Sequence, residues 1–149
     1  MAAGAWTFYN KAKLHLMDGA IDLDSGSANF HMSLYTSASN AATLTLSTRT
    51  SVTNEIVDGF GYSTSGKPLA SVTWAVGASA TEYRWTAAAL VWTAAGGSIT
   101  NVKFAVIWSS SPVADKLLCF SQLSTAQFTV TSGNTLTITP SANGIFELN

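Results

Sequence analysis

The chain has 149 residues and a mass of 15.6 kDa, and its hydrophobic content of 47% excludes disorder as a description of the whole sequence. Charged residues make up only 10%, and 7 basic residues against 8 acidic ones leave a net charge of −1. Because there is no basic excess to neutralise phosphates, we expect no nucleic-acid partner. Such scarce charge also protects little against self-association, so we expect much of the surface to be buried against other subunits.

Several further classes of protein are not expected. A single cysteine, Cys119, can form neither an intrachain disulfide nor a zinc cluster, and we expect it to be a small buried hydrophobe. The first ten residues lack the basic and apolar regions of a signal peptide, and no apolar run approaches the ~20 residues of a membrane span. Phosphate-loop and dinucleotide motifs are also absent from the sequence, so no cofactor is expected.

The first predicted element is a short helix over residues 6–18. Ala12 and Leu16 fall at helical spacing within it, and Gly19 is a suitable stop signal. An isolated helix of this length is marginal, so it must dock on something. We therefore assign residues 1–19 to an N-terminal arm or helix.

Alternation of apolar and polar residues predicts a series of short strands after this helix. The run 99–108 is nearly apolar at its end, which is typical of a central strand covered on both faces. Residues 43–56 fit no single period. Residues 132–134 read as the turn of a hairpin that joins its two flanking strands. The predicted strands are 30–36, 71–76, 81–85, 89–93, 99–108, 116–123, 128–131, 135–139 and 145–148.

These elements define the fold class. About eight to ten short strands separated by Gly, Ser and Asn turns are typical of an all-β sandwich or a jelly-roll-like barrel. We predict antiparallel strands with one short N-terminal helix, in a single domain over residues 1–149.

The residues that could support catalysis are few. The only histidines are His15 and His31, and His31 shares a strand face with Ser33 and Tyr35. We interpret that face as partly exposed and polar. A nucleophile-elbow motif, Gly-x-Ser-x-Gly, does not occur in the sequence. We therefore do not expect an enzyme.

The acidic residues of the segment Asp22-Leu23-Asp24-Ser25-Gly26 faintly suggest a calcium loop. The EF-hand pattern needs an oxygen ligand, a glycine and a glutamate at its fifth, sixth and twelfth positions, which here are Gly26, Ser27 and Ser33. The pattern fails at all three, so we predict a structural turn and no metal site.

Aromatic residues offer the best candidates for an interface, because they anchor many protein–protein contacts. Trp74, Trp92 and Trp108 are expected in the core, whereas Trp6, at the start of the regular structure, is the best candidate for an anchor on a neighbouring subunit. The candidate interface residues are Trp6, Phe8, Tyr9, Leu16, Phe60, Tyr62 and Trp85.

Short motifs occur in a characteristic order along nearly the whole chain. They are Tyr9-Asn10-Lys11-Ala12-Lys13, Gly19-Ala20-Ile21-Asp22-Leu23-Asp24, Phe30–Thr36, Gly59-Phe60-Gly61-Tyr62, Ser65-Gly66-Lys67, Val91-Trp92-Thr93-Ala94, Lys103-Phe104-Ala105-Val106-Ile107-Trp108 and Asn143-Gly144-Ile145-Phe146-Glu147-Leu148. In this order the sequence resembles a family of small structural proteins from tailed bacteriophages. The resemblance implies a virion component and carries over no catalytic residue.

Composition and resemblance together favour a capsid decoration, or cement, protein on the exterior of the phage head. Its expected partners are the major capsid protein and copies of itself, in a homo-oligomer assembled in the host bacterial cytoplasm. The alternative is a tail, neck or fibre-associated module, structural or adhesive, that binds host glycans through exposed aromatics. An enzyme ranks last among the three classes.

Overall fold

The computed structural model describes residues 4–24, 26, 29–77, 79–113 and 115–148, and it contains eleven strands and one α-helix. A short 3-10 helix spans Arg49–Ser51. The elements in chain order are β1 (Trp6–Phe8), α1 (Asn10–Met17), β2 (Phe30–Thr36), β3 (Lys67–Pro68), β4 (Thr73–Val76), β5 (Tyr83–Thr86), β6 (Leu90–Thr93), β7 (Ile99–Ser109), β8 (Lys116–Gln122), β9 (Phe128–Val130), β10 (Thr135–Ile138) and β11 (Phe146–Leu148).

The N-terminal segment is a strand followed by a helix, so the prediction of a helix from Trp6 is wrong for its first residues. β1 pairs antiparallel with β8. Hydrogen bonds between the two strands satisfy backbone N–H and C=O groups that would be bonded within the helix if these residues were helical. Helix α1 has no side-chain cap and no acidic residue in its first turn. Packing therefore holds it in place: Ala12 is fully buried, and the Tyr9 hydroxyl donates a hydrogen bond to the carbonyl oxygen of Ala41 (2.7 Å).

The main sheet has the strand order β1-β8-β7-β2-β3, and β9 also pairs with β7. Strand β7 lies between β8 and β2, and its last six residues are all buried. The prediction of a central strand over this run is confirmed. Lys67–Pro68 at the edge of the sheet forms a strand that the sequence did not predict, since two residues carry no period.

The predicted sandwich is confirmed, because two smaller sheets, β10-β6 and β11-β5-β4, complete the architecture. Cross-strand partners share a sheet face, and on that basis Met32, Ile107 and Phe8 lie on one face of the main sheet. Phe30 lies on the same face and contacts Trp85 of β5 with ring centroids 4.9 Å apart. Aromatic contacts of this kind join the layers into one buried cluster.

The predicted hairpin around residues 132–134 is wrong. A turn is present, with the Asn134 amide donating to the Thr131 carbonyl (3.0 Å), but β9 pairs with β7 and β10 pairs with β6. Turn residues specify that the chain reverses, whereas the burial of side chains decides which strands pair. Here Val130 and Leu136 are both buried, in different sheets.

Residues 43–56, which fit no single period, are largely irregular, and their backbone pairs with β8 and β2 of the main sheet. The Leu117 amide donates to the Ser47 carbonyl (3.1 Å), and the Arg49 amide donates to the Asp115 carbonyl (2.8 Å). Farther along, Glu55 forms an antiparallel bridge with Tyr35. The Arg49 guanidinium of this segment lies 5.0 Å from the centroid of the Trp108 ring, on the face of the main sheet that carries His31, Ser33 and Tyr35.

Candidate protein-docking surface

The three-stranded sheet has one strongly apolar face. In its register, a residue of β5 pairs with one residue of β4 and one of β11. The three paired residues form a row across the sheet. Because cross-strand partners and residues two apart in a strand share a face, two of these rows lie on the same side. The inner row is Trp74, Trp85 and Phe146, and the outer row is Val76, Tyr83 and Leu148.

The two rows differ sharply in burial. Trp85 is fully buried, and its ring stacks on that of Phe146 with the ring centroids 5.5 Å apart. By contrast, Val76 is 52% exposed, Tyr83 51% and Leu148 57%. The sheet therefore extends beyond the layer that covers its inner row. We call the outer row Val76, Tyr83 and Leu148 the overhang.

A groove of about 840 Å³ adjoins the overhang. Helix α1 and the turn after it form one part of its lining, and the three-stranded sheet forms another. The rings of Phe146 and Phe8 meet edge to face with their centroids 4.7 Å apart, and this contact holds the sheet against β1. The apolar lining residues include Phe8, Leu16, Leu23, Trp74, Phe146 and Leu148.

The helical side of the groove carries an exposed apolar side chain and charged residues. Met17 at the end of α1 is 87% exposed and lines the groove. Lys13, Asp22 and Asp24 line it as well. The Asp24 amide donates to the Asp22 carboxylate (3.0 Å), which confirms the predicted structural turn over residues 22–24, whereas Ser25 lies outside the described residues.

The structure separates the seven predicted interface residues. Phe8 and Leu16 are half-buried and lie together in the groove. Tyr9, Tyr62 and Trp85 are part of the core and present no surface to a partner. Large aromatic side chains form much of the core, and composition alone does not distinguish a core aromatic from an interface aromatic.

The other two predicted interface residues lie elsewhere. Trp6 is half-buried in β1, and its indole nitrogen is buried without a hydrogen-bond partner among the described residues. Phe60 is exposed and lines a smaller cleft of about 170 Å³ beside residues 98–101. Of the tryptophans predicted in the core, Trp92 and Trp108 are buried, whereas Trp74 is half-buried and lines the groove.

The face of β2 that carries His31 is more buried than predicted, since Ser33 and Tyr35 are fully buried. The prediction of a partly exposed polar face is therefore wrong for these two residues, because the Trp108 ring and the Arg49 guanidinium over it lie on the same face. Trp108 donates its indole N–H to the Ser33 hydroxyl (3.0 Å), and its ring stacks on His31 at 4.6 Å. Burial, together with the charge of Arg49, lowers the pKa of His31 below its ordinary value.

An ion-pair network borders these residues. The Arg49 guanidinium lies 3.3 Å from the Glu55 carboxylate and 3.4 Å from that of Asp115. The other oxygen of Glu55 accepts hydrogen bonds from the Tyr62 hydroxyl (2.8 Å) and the Ser65 amide (2.6 Å). Burial raises the pKa of Tyr62. Because both oxygens of Glu55 are bonded to the protein itself, the network links residues 43–56 to Tyr62, Ser65 and Asp115.

Four further observations concern catalysis, metal binding, membranes and similarity to known proteins. Neither His15 nor His31 lines the groove. Among the described residues, no group of three or more His, Cys, Asp or Glu side chains could hold a metal ion. The helices in the described part of the chain are too short or too polar to cross a bilayer.

Comparison of the chain with protein-family models, with curated proteins and with solved structures finds no match in any of the three.

Proposed function

We propose that this chain is a structural protein of a tailed-phage virion and that it acts as a decoration, or cement, protein on the exterior of the head. The observation that carries the proposal is the overhang, a row of large apolar side chains outside the core, one of which, Leu148, also lines an apolar groove. Apolar surface of this kind marks an interaction site when it is contiguous. The phage assignment itself rests on the motif resemblance.

Burying the overhang against a neighbouring subunit supplies a driving force for assembly. Full burial of a large apolar side chain contributes ~1.5–3 kcal/mol. Since each of the three overhang residues is about half exposed, each retains about 1 kcal/mol to be gained. Association costs offset much of this gain for one copy, but many copies on a shell act together through multivalency.

The surroundings of the overhang fit close packing against protein. Only 10% of the residues are charged, and charged residues are depleted at the centres of protein interfaces. The opposite face of the same sheet carries Thr73, Ala75 and the cross-strand neighbours Arg84 and Glu147. One face of this sheet is thus suited to solvent and the other to a subunit.

Copy number on purified particles tests the assignment. Quantitative mass spectrometry and cryo-electron microscopy should find this chain on the head lattice, on the order of hundreds of copies per particle, as symmetric decoration requires. A single ring's worth of copies at the neck or tail would overturn the decoration assignment in favour of a tail or neck module. Absence from the particle would overturn the phage assignment as well.

A pair of charge-introducing variants tests the surface. Val76→Asp places a carboxylate in the overhang, whereas Thr73→Asp places one on the opposite face of the same strand. We expect Val76→Asp to lose binding to particles that lack the protein and Thr73→Asp to bind as wild type. Equal binding by both variants would show that the overhang does not dock.

A further inference from the structure

We infer that the occupant of the groove is a second copy of this chain, in a two-fold symmetric contact. This inference rests on the proposed function, because it names the neighbouring subunit that covers the docking surface. A two-fold interface uses the same patch on both subunits, so the patch must fit itself. Three features of the surface meet that requirement.

The first feature is a projection and a groove on one patch. Met17 projects from the end of α1 with 87% of its surface exposed, and it stands on the lining of the groove. Under a two-fold axis, a projection beside a groove enters the partner's groove while the partner's projection enters its own. A methionine suits this place, because its flexible thioether adapts to an irregular apolar lining.

The second feature is charge of both signs on the same lining. Lys13 lies on α1, whereas Asp22 and Asp24 lie on the turn after it. A two-fold contact can set Lys13 of each copy against Asp24 of the other, which gives two opposite-charge contacts from one pair of residues. A partner of uniform charge would repel one of the two groups.

The third feature is the near-neutral charge of the whole chain. With a net charge of −1, two copies approach each other with almost no overall repulsion. The overhang of each copy then has apolar cover available from the helical side of the other, where Met17 is exposed. A second copy therefore satisfies the apolar and the charged parts of the surface together.

A charge-swap experiment tests the inference on the full chain. Sedimentation velocity should show a concentration-dependent dimer for the wild type. Lys13→Glu alone and Asp24→Lys alone should each weaken the dimer by about tenfold or more, because each creates two like-charge contacts per dimer. An equimolar mixture of the two variants should restore dimerisation to near the wild-type affinity, since every contact then has opposite charges.

A second pair of variants tests the apolar part. Met17→Glu should abolish the dimer, whereas Leu14→Glu, which changes an exposed apolar residue of the same helix that does not line the groove, should leave it intact. Circular dichroism verifies that both variants fold. Failure of the mixture to restore the dimer, or a wild-type chain that is monomeric at all concentrations, would overturn the inference. If Val76→Asp still abolishes particle binding in that case, the proposed function stands and the groove belongs to another subunit.

Discussion

Trp85→Ala and Leu148→Ala remove apolar side chains from opposite ends of one sheet face, and we expect very different losses of stability. Trp85 is fully buried, and its indole N–H donates to the Leu23 carbonyl (3.3 Å). Truncating a buried tryptophan costs ~3–5 kcal/mol, and the lost hydrogen bond adds about 1 kcal/mol. Leu148 is 57% exposed, so less than half of the ~1.5–3 kcal/mol of a buried leucine is at stake, about 1 kcal/mol.

Urea unfolding at two protein concentrations measures both values. At low concentration, where the monomer dominates, Trp85→Ala should lose several times more free energy of unfolding than Leu148→Ala. If copies associate through this face, raising the concentration about a hundredfold should stabilise the wild type by at most about 1.4 kcal/mol per chain, half of RT ln 100, because two chains share each interface. Leu148→Ala should gain clearly less. Equal losses for the two variants at low concentration would mean that the overhang is already packed inside the monomer, contrary to the structure.

Three further predictions concern the fold. Gly66→Ala should lower the free energy of unfolding by more than about 2 kcal/mol, because Gly66 has a φ of +72° and an added Cβ would lie 1.9 Å from the Met32 carbonyl oxygen. The control Gly133→Ala, with a φ of +86° and no neighbour within 4 Å, should cost about 1–2 kcal/mol in urea unfolding. Since folding lowers the pKa of His31 from 6.5, the unfolded chain binds more protons than the folded chain just below that pH. The free energy of unfolding should therefore fall as the pH drops below 6.5. Its slope against pH should be smaller in His31→Gln, and an unchanged slope would contradict this. Burial raises the pKa of Cys119, so a thiol reagent should react only as fast as the chain unfolds, and rapid labelling of the native protein would contradict its burial.

Strong periodic runs made much of the sheet predictable. Strand β2 was predicted over its full span, and the apolar run at the end of β7 also predicted its central position. Pairing between strands was less accessible, because a turn such as the one at residues 132–134 fits either a hairpin or a crossing between sheets. The choice depends on which side chains the rest of the chain can bury, and this information is not local.

The docking surface was only partly predictable, for a related reason. Phe8 and Leu16 were expected at an interface and line the groove, whereas Val76, Tyr83 and Met17 were missed. Alternation placed Val76 on an apolar face, but it carries no information on where the opposing layer ends. An overhang is a property of two layers, so one strand's pattern cannot reveal it.

The polar face of β2 shows the converse problem. Ser33 and Tyr35 follow the same alternation whether water or protein covers them. Here Arg49 lies over the Trp108 ring on this face, and the carboxylates of Glu55 and Asp115 hold it there. Sequence patterns therefore identified the strand and its faces, and misjudged the burial of one of them.

Oxidation of methionine in the assembled and the free protein tests the docking surface most directly. Met17 is 87% exposed and Met32 only 1%, so dilute peroxide should convert Met17 of the free monomer to its sulfoxide and spare Met32, an internal control. On purified particles we predict strong protection of Met17 in peptide mass spectrometry, because a neighbouring subunit covers the groove. Oxidation of Met17 at the same rate on particles and in free monomer would contradict docking through this surface.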